Sequence, residues 1–145
     1  MKTIQYAFLA CVLLTGAAHG QHARPQARHE LHYNDCLQAD RVNGWAVIGD
    51  RTVVVRNGPR HFAVRVTVAC PRMDLGGGLH FRLSESGKAV GGNRLCGGIS
   101  EQIVRRYDPP CQIESIRDID KAEYDALSKR AKRHGSGAEP SGAVP

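Results

Sequence analysis

Apolar and polar residues alternate along the middle of the chain in short runs that are typical of β-strands. The clearest run spans residues 61–68, in which every second side chain is apolar: Phe62, Val64, Val66 and Val68. A period of two over eight residues predicts a strand with one face in a hydrophobic core and the other in water. Similar short runs occupy residues 45–48, 52–55, 79–83, 94–96, 103–107 and 111–116.

Turn residues separate these runs and leave no room for helices between them. Gly49-Asp50 divides the first two runs, Asn57-Gly58-Pro59 precedes the third, and Asp108-Pro109-Pro110 divides the last two. Such residues favour tight turns, because glycine supplies positive φ and proline fixes φ for a turn. Without crossover helices the strands cannot be parallel neighbours. We therefore expect a mainly β fold, a small antiparallel barrel or compact sandwich of six to seven short strands, with one C-terminal helix.

The helical pattern begins only after Ile119. Asp120 can cap a helix, and Glu123 stands three residues later, at the spacing of a capping box. The predicted organisation is a loosely ordered arm at residues 21–35, a disulfide-stapled β domain at 36–119, a helix at 120–134 and a disordered tail at 135–145. The tail prediction follows from its small, nearly uncharged, Gly- and Pro-containing composition.

The first twenty residues have the build of a secretory signal peptide. Lys2 precedes nine mostly apolar residues at positions 6–14, and small residues follow. This apolar stretch is too short for a membrane-spanning helix. Cleavage after Gly20 and cleavage after Ala18 both fit, and either predicts a periplasmic or secreted protein. Lipid anchoring through Cys11 is the weaker alternative, because the apolar run continues past that cysteine.

Removal of the signal peptide leaves four cysteines: Cys36, Cys70, Cys96 and Cys111. An even number in a small exported domain predicts two disulfides. A structural zinc site is less favoured, because no two of these cysteines are two to four residues apart. Three pairings are possible. We favour Cys36–Cys111 with Cys70–Cys96, because the first pair would join the two ends of the core.

Positive charge is concentrated in the predicted β domain. The chain has 145 residues and a formal net charge of +6, and residues 36–117 contain 12 Arg and Lys against seven Asp and Glu. Eleven of those 12 are arginines, which bind carboxylates and phosphates in a bidentate manner. The simplest interpretation is a solvated face that keeps the protein soluble.

A functional interpretation is a docking face for an anionic envelope component or an acidic protein. The outward positions of the strands give the candidate residues: Arg56, His61, Arg65, His80 and Arg82. If the strands with Arg65 and Arg82 are neighbours, these side chains form one basic stripe. Nucleic acid is not an expected partner, because the protein is predicted to be exported and has a single Trp for stacking on bases.

Several motifs along the chain resemble a known family. They are Cys36-Leu37, Ile48-Gly49-Asp50-Arg51-Thr52-Val53, Cys70-Pro71, Arg94-Leu95-Cys96 and Cys111-Gln112-Ile113 followed by Ile116. The chain is similar over roughly residues 35–127 to small exported bacterial four-cysteine proteins catalogued only as a domain of unknown function, the domain of unknown function 6491 type. The resemblance implies an envelope protein of one domain and assigns no activity and no catalytic residue.

No motif in the chain predicts catalysis, a metal or a cofactor. His29 and His32 flank Glu30 at a spacing of three, whereas the zinc-protease motif His-Glu-x-x-His needs four to place both imidazoles on one helix face. The glycine pairs lack the Gly-Lys-Ser/Thr ending of a phosphate loop. We therefore expect a non-catalytic envelope interaction or accessory module. The alternative is a small hydrolase or enzyme inhibitor with its site in the loops at residues 71–78 or 84–93.

Overall fold

The computed structural model describes residues 28–73, 78–89, 92–105 and 108–137. The predicted signal peptide with Cys11, the first residues of the arm and the tail from residue 138 onward lie outside the described residues. Within the described residues, no helix is both long and apolar enough to cross a membrane.

The described residues form nine strands, two α-helices and two short 3-10 turns. The strands are β1 (Leu37–Gln38), β2 (Val42–Val47), β3 (Thr52–Asn57), β4 (Arg60–Val66), β5 (His80–Arg82), β6 (Arg94–Leu95), β7 (Gln102–Arg105), β8 (Asp108–Ile119) and β9 (Arg133–Gly135). The helices are α1 (Glu85–Ala89) and α2 (Lys121–Ser128), and the 3-10 turns are Tyr33–Asp35 and Ala39–Arg41.

Seven strands form one antiparallel half-barrel in the order β5-β7-β8-β4-β3-β2-β9, and β1 pairs with β6 in a separate two-stranded sheet. The predicted mainly β, antiparallel class with a C-terminal helix is confirmed. Two predicted loops differ. Asp108-Pro109-Pro110, which was predicted to be a turn, is instead the first part of β8, because Asp108 already pairs with Arg105 of β7. The segment at 84–93 contains the short helix α1.

The alternation in β4 places its apolar residues in the core as predicted up to Val66, where the strand ends, whereas Val68, which was predicted to face the core, is 63% exposed. Phe62, Val64 and Val66 are buried, and Val64 pairs with Val53 on one side and Ile116 on the other. The turn from β3 to β4 contains Gly58, whose φ of +63° is a conformation that only glycine adopts at little cost. The hairpin register therefore sends the apolar side of each strand inward.

The opposite face of β4 is open to water at Arg65, as predicted, but not at His61 and Ala63. Helix α2 lies over it, so that Ala63 belongs to a second small hydrophobic cluster. This cluster joins sheet residues to the helix and the segment that follows it: Ala46, Val54, Ile119, Ile48, Ala63, Tyr124, Leu127 and Ala131. The sheet is consequently covered on both sides at Ala46 of β2, Val54 of β3 and Ala63 of β4.

Helix α2 begins as predicted and ends earlier. Asp120 caps it, and its Oδ1 accepts a hydrogen bond from the Glu123 N–H at 2.7 Å. The Glu123 side chain does not complete a capping box, because Arg117 binds it. The helix predicted to reach residue 134 ends at Ser128.

The predicted boundary between the C-terminal helix and the disordered tail, at residues 134 and 135, was also wrong. Residues 133–135 form β9, which extends the large sheet by pairing with β2. Trp45 holds this strand, because Gly135 lies against its indole and its Nε1–H donates to the carbonyl of Gly137 at 3.0 Å. The predicted disordered tail therefore cannot begin at Gly135.

Both disulfides pair differently from the favoured prediction. Cys36 bonds Cys96 and Cys70 bonds Cys111, with Cα–Cα distances of 4.6 and 5.7 Å. The pairing follows neighbouring strands rather than chain ends: β1 pairs with β6, and β4 lies beside β8. The loops close over 60 and 41 residues. In the chain-entropy model each bridge then stabilises the fold by about 4 kcal/mol.

The described end of the N-terminal arm is packed rather than loose. The Leu31 N–H donates to the Cys96 carbonyl at 2.8 Å, and Arg28 Nη1 donates to the Ile113 carbonyl at 3.2 Å. Together with the Cys36–Cys96 bridge, these bonds hold residues 28–36 across the half-barrel.

Candidate anion-docking surface

The structure separates the five residues that the sequence grouped into one basic face. Arg56 and His61 pair directly across β3 and β4, and Arg65 lies further along β4. His80 and Arg82 lie on β5, from which β4 is separated by β7 and β8. Three strand spacings amount to roughly 14 Å. The strands are therefore not neighbours, and the predicted continuous stripe does not form.

Arg56 and His61 make contacts within the molecule. Arg56 Nε donates to Oδ1 of Asn43 at 3.1 Å, and its Nη2 donates to the Asn43 carbonyl at 3.3 Å. The His61 ring lies against the ring of Tyr124 in α2, with the centroids 4.7 Å apart. These two residues help to attach the edge of the sheet and the helix. Arg82, on β5, donates to Oε1 of Gln102 at 3.1 Å.

Arg65 belongs to a different cluster, in which two arginines share one acid. Arg65 Nε lies 3.1 Å from Oε2 of Glu114, and Arg51 Nη2 lies 3.7 Å from the same oxygen. Arg51 is fixed in place, because it also donates to the carbonyls of Val66 at 3.4 Å and Thr67 at 2.7 Å. One carboxylate cannot neutralise two guanidinium groups, so the cluster keeps a charge of about +1.

A second cluster also joins two arginines to one acid. Arg72 and Arg105 both form ion pairs with Asp108, whose side chain is 7% exposed. Arg105 also donates to the Arg72 carbonyl. Arg72 has a φ of +56°, a left-handed conformation that is uncommon for a residue with a side chain and is maintained only where surrounding contacts impose it. Its guanidinium remains more than half exposed.

The segment that follows β4 connects the two clusters along the chain, because Arg51 binds its Thr67 and Arg72 belongs to it. The Cys70 N–H donates to the Asp50 carbonyl at 2.7 Å, which ties the segment after β4 to the β2–β3 turn. Arg51 binds the same segment through Thr67. Val68, which is 63% exposed, stands between Arg65 and Arg72 along the chain. We call Arg51, Arg65, Val68 and Arg72 the arginine edge.

Two other arginines of the sheet, Arg60 and Arg117, have at least one acid for each charge. Arg60 lies between two carboxylates, Asp118 and Asp35. Arg117 forms a two-bond pair with Glu123, at 2.5 and 3.1 Å. Hydrogen bonding to Glu123 raises the pKa of Arg117, and the same bonds lower the pKa of Glu123. The arginine edge differs from these two pairs because two arginines share each of its acids, Glu114 and Asp108.

Sequence analysis found Arg65 and missed Arg51 and Arg72 as site residues. Arg51 follows the Gly49-Asp50 turn, so its place at the end of the hairpin was available from the sequence. The position of Arg72 was not, because it depends on the Cys70–Cys111 bridge and on a left-handed backbone. No periodicity in the sequence reports either feature.

The described residues offer little that resembles a catalytic or metal centre. They contain no group of three or more His, Cys, Asp or Glu side chains placed to hold a metal ion. In the loop proposed for an enzymatic site, the Ser84 hydroxyl accepts the Gly87 N–H at 3.0 Å, a local turn contact. The buried carboxylate of Glu101 accepts the N–H groups of Cys96 and Gly97 at 2.9 and 2.8 Å.

Comparison with known proteins gives one match. A family model described as a family of unknown function (DUF6491) matches residues 1–135. No curated protein matches the chain significantly, and no solved structure does.

Proposed function

This chain belongs to the family of unknown function DUF6491, and we propose that it is an exported, non-catalytic β domain that docks on an anionic membrane surface of the cell envelope through its arginine edge. The observation that carries the proposal is the repeated sharing of one carboxylate by two arginines at the two ends of the segment that follows β4.

Export is supported by the covalent framework. Disulfides persist in oxidising compartments and are rare in reducing ones. The two bridges span 60 and 41 residues of a small β fold, so a large part of its stability depends on them. The signal-peptide pattern of residues 1–20 points to the same compartment.

The arginine edge suits a membrane surface for two reasons. An arginine near an anionic lipid surface contributes about 1 kcal/mol, so Arg65 and Arg72 together supply weak, reversible attraction. Both side chains are more than half exposed and so reach solvent beyond their acids. Val68 adds an exposed apolar side chain between them, which can enter the headgroup boundary.

Catalysis is the less supported candidate. A hydrolase needs a nucleophile beside a base, and a base within hydrogen-bonding reach of its proton. The described part of the 84–93 loop supplies Ser84, and the nearby Glu101 carboxylate is occupied by two backbone N–H groups. An inhibitor with a loop-borne site remains the alternative proposal, and it requires a protein partner rather than a lipid surface.

The test is sedimentation with vesicles of equal parts phosphatidylglycerol and phosphatidylcholine, against vesicles of phosphatidylcholine alone. At low salt the full-length mature protein should bind the anionic vesicles and should not bind the neutral ones. Added salt should release it from the anionic vesicles. Arg65→Gln with Arg72→Gln should reduce binding about thirtyfold, because two contacts of about 1 kcal/mol each are lost.

A matched control removes two positive charges from another surface. Arg130 and Lys132 follow α2 and are exposed, so Arg130→Gln with Lys132→Gln changes the net charge equally. The proposal expects near-normal binding by this control. Equal loss of vesicle binding in both double variants would mean that binding depends only on net charge. Binding to soluble alginate but not to vesicles would favour an acidic polysaccharide as the partner. Either result contradicts docking on a membrane through the arginine edge.

A further inference from the structure

A cleft lies beside the small β1–β6 sheet, with Gln38 of β1 and Arg94 of β6 in its walls. It has two parts, of about 380 and 200 Å³, which share Tyr33 and Arg94 as a common wall. The larger part lies in the size range of small-molecule sites. None of the residues of the arginine edge lines either part.

The shared wall is an aromatic ring backed by a guanidinium group. Arg94 Cζ lies 4.4 Å from the centre of the Tyr33 ring, and Arg94 Nη1 donates to the Tyr33 carbonyl at 3.1 Å. Tyr33 is nevertheless 45% exposed, which is unusual for a large aromatic side chain that has a packing partner. The ring is thus held in one orientation and still presents area to a ligand.

Polar side chains surround this ring on both sides. The larger part is lined by Glu30, Ser84 and Ser100 together with the exposed apolar side chain of Ile99, and the smaller by Gln38, Asp40 and Asn93. Hydroxyls and carboxamides both donate and accept hydrogen bonds, and carboxylates accept them. This mixture around an aromatic face suits a ligand whose every edge carries hydroxyl groups and whose ring face carries C–H bonds.

The charge of the lining selects against anions. Glu30, Asp40 and Glu101 stand against the single cation Arg94, and Arg94 is already placed on the Tyr33 ring. The cleft is therefore unlike the arginine edge in sign. An anionic lipid or acidic polymer has no reason to bind here.

The walls are held together by close links. The Cys36–Cys96 bridge joins the two strands of the small sheet, and Leu37 pairs with Leu95. The Ala39 N–H donates to the Asn93 carbonyl at 2.6 Å. A cleft fixed in this way does not have to order itself when a ligand binds, which lowers the entropic cost of binding.

From this geometry we infer that the Tyr33–Arg94 cleft is a binding site for a neutral oligosaccharide. One sugar ring stacks on the exposed face of Tyr33, and its hydroxyl groups bond to Asn93 and Asp40 on one side and to Glu30 and Ser84 on the other. The site is separate from the arginine edge, so it stands or falls independently of the proposed membrane docking.

The test is a titration of the isotopically labelled mature protein by NMR, with N-acetylglucosamine tetrasaccharide and cellotetraose as two separate probes. At least one probe should give saturable shifts at residues 33, 38, 40 and 93, with a Kd of roughly 1 mM or tighter. Tyr33→Leu, which keeps apolar bulk and removes the flat ring, should weaken binding about tenfold. Tyr33→Phe should retain it, because the ring face is unchanged.

Two controls keep the result interpretable. Arg65→Gln with Arg72→Gln should leave sugar binding unchanged, and Tyr33→Leu should leave vesicle binding unchanged. Dispersed, native-like spectra with both disulfides intact establish that each variant is folded. The inference is overturned if neither sugar saturates or if Tyr33→Leu binds as well as the wild type. It is also overturned if a third probe, the cationic tetrasaccharide of glucosamine, binds and the two neutral sugars do not, which would make the cleft a cation site.

Discussion

Arg65 donates its Nε–H to Glu114 across the β4–β8 ladder at 3.1 Å, but it does not have that carboxylate to itself. The same oxygen lies 3.7 Å from Arg51. Glu114 therefore restrains two cations and neutralises one. The acid sets how much positive potential the arginine edge presents to a partner.

Glu114→Gln should consequently strengthen docking rather than weaken it. Removing the shared carboxylate adds one unit of positive charge to the edge, worth about 1 kcal/mol against an anionic surface, or about a fivefold gain in vesicle affinity. Arg51 remains anchored by the carbonyls of Val66 and Thr67. Affinity is measured by sedimentation with vesicles that contain phosphatidylglycerol.

The matched control is Glu123→Gln, which makes the same charge change beside α2. It should raise vesicle affinity much less than Glu114→Gln, because Glu123 is bonded to Arg117 away from the edge. A larger gain from Glu123→Gln than from Glu114→Gln would place the docking surface at the helix instead.

Gly135→Ala should destabilise the C-terminal end of the fold. A Cβ at this position would overlap the Trp45 indole, so β9 has to shift away from β2. Overpacking of this kind costs about 1–3 kcal/mol. Thermal unfolding should occur at a lower temperature and Trp45 fluorescence should shift to the red. Gly49→Ala is the control with no neighbour within 4 Å, and an equally large loss there would contradict this explanation.

Peptide mapping without reduction should recover one linked pair containing Cys36 and Cys96 and another containing Cys70 and Cys111. Replacing either pair by serines should lower the free energy of unfolding by about 2–5 kcal/mol. A peptide that links Cys36 to Cys111 would restore the pairing favoured by the sequence and contradict the strand order described here.

Helix α2 should loosen in acid. Hydrogen bonding to Arg117 lowers the pKa of Glu123, and hydrogen bonding to Lys121 lowers the pKa of Asp125. Because both folded-state values are depressed, the stabilisation is present above the ordinary carboxyl pKa and is lost as the pH falls through the folded-state values. Amide exchange in α2 should therefore rise below about pH 4 before exchange in β4 does.

Arg117→Gln isolates the cause of this effect. In this variant the pKa of Glu123, followed by carboxyl NMR, should return toward its ordinary value, whereas the pKa of Asp125 should stay low. If Glu123 titrates identically with and without Arg117, the two-bond pair does not hold in solution.

Sequence periodicity predicted the inner face of the sheet and could not predict the outer one. Phe62, Val64 and Val66 repeat every second residue, and local alternation is sufficient to place them in the core. Ala63 and His61 also alternate, yet their outward face contacts α2, which is about sixty residues away in the chain. The position of that helix depends on the path of the whole sheet.

The candidate site, like the fold, was predicted where it depends on the pattern within one strand and was not predicted where it depends on which strands are neighbours. The outward phase of Arg65 follows from its own strand, but its grouping with Arg82 required β4 and β5 to be adjacent, which the strand order excludes. The disulfide pairing failed for an identical cause, because Cys36 meets Cys96 only once β1 pairs with β6. Neighbours within a strand are local, whereas neighbours between strands are decided by topology.

The most direct test of the account locates the membrane contact on the molecule itself. An NMR titration of the labelled mature protein with small phosphatidylglycerol vesicles at low salt should perturb the Nε–H signals of Arg51, Arg65 and Arg72 and the amide of Val68. Signals of α2 and of the Tyr33–Arg94 cleft should stay in place. Perturbation centred on α2 or on the cleft, or an unchanged spectrum at saturating lipid, would contradict docking through the arginine edge.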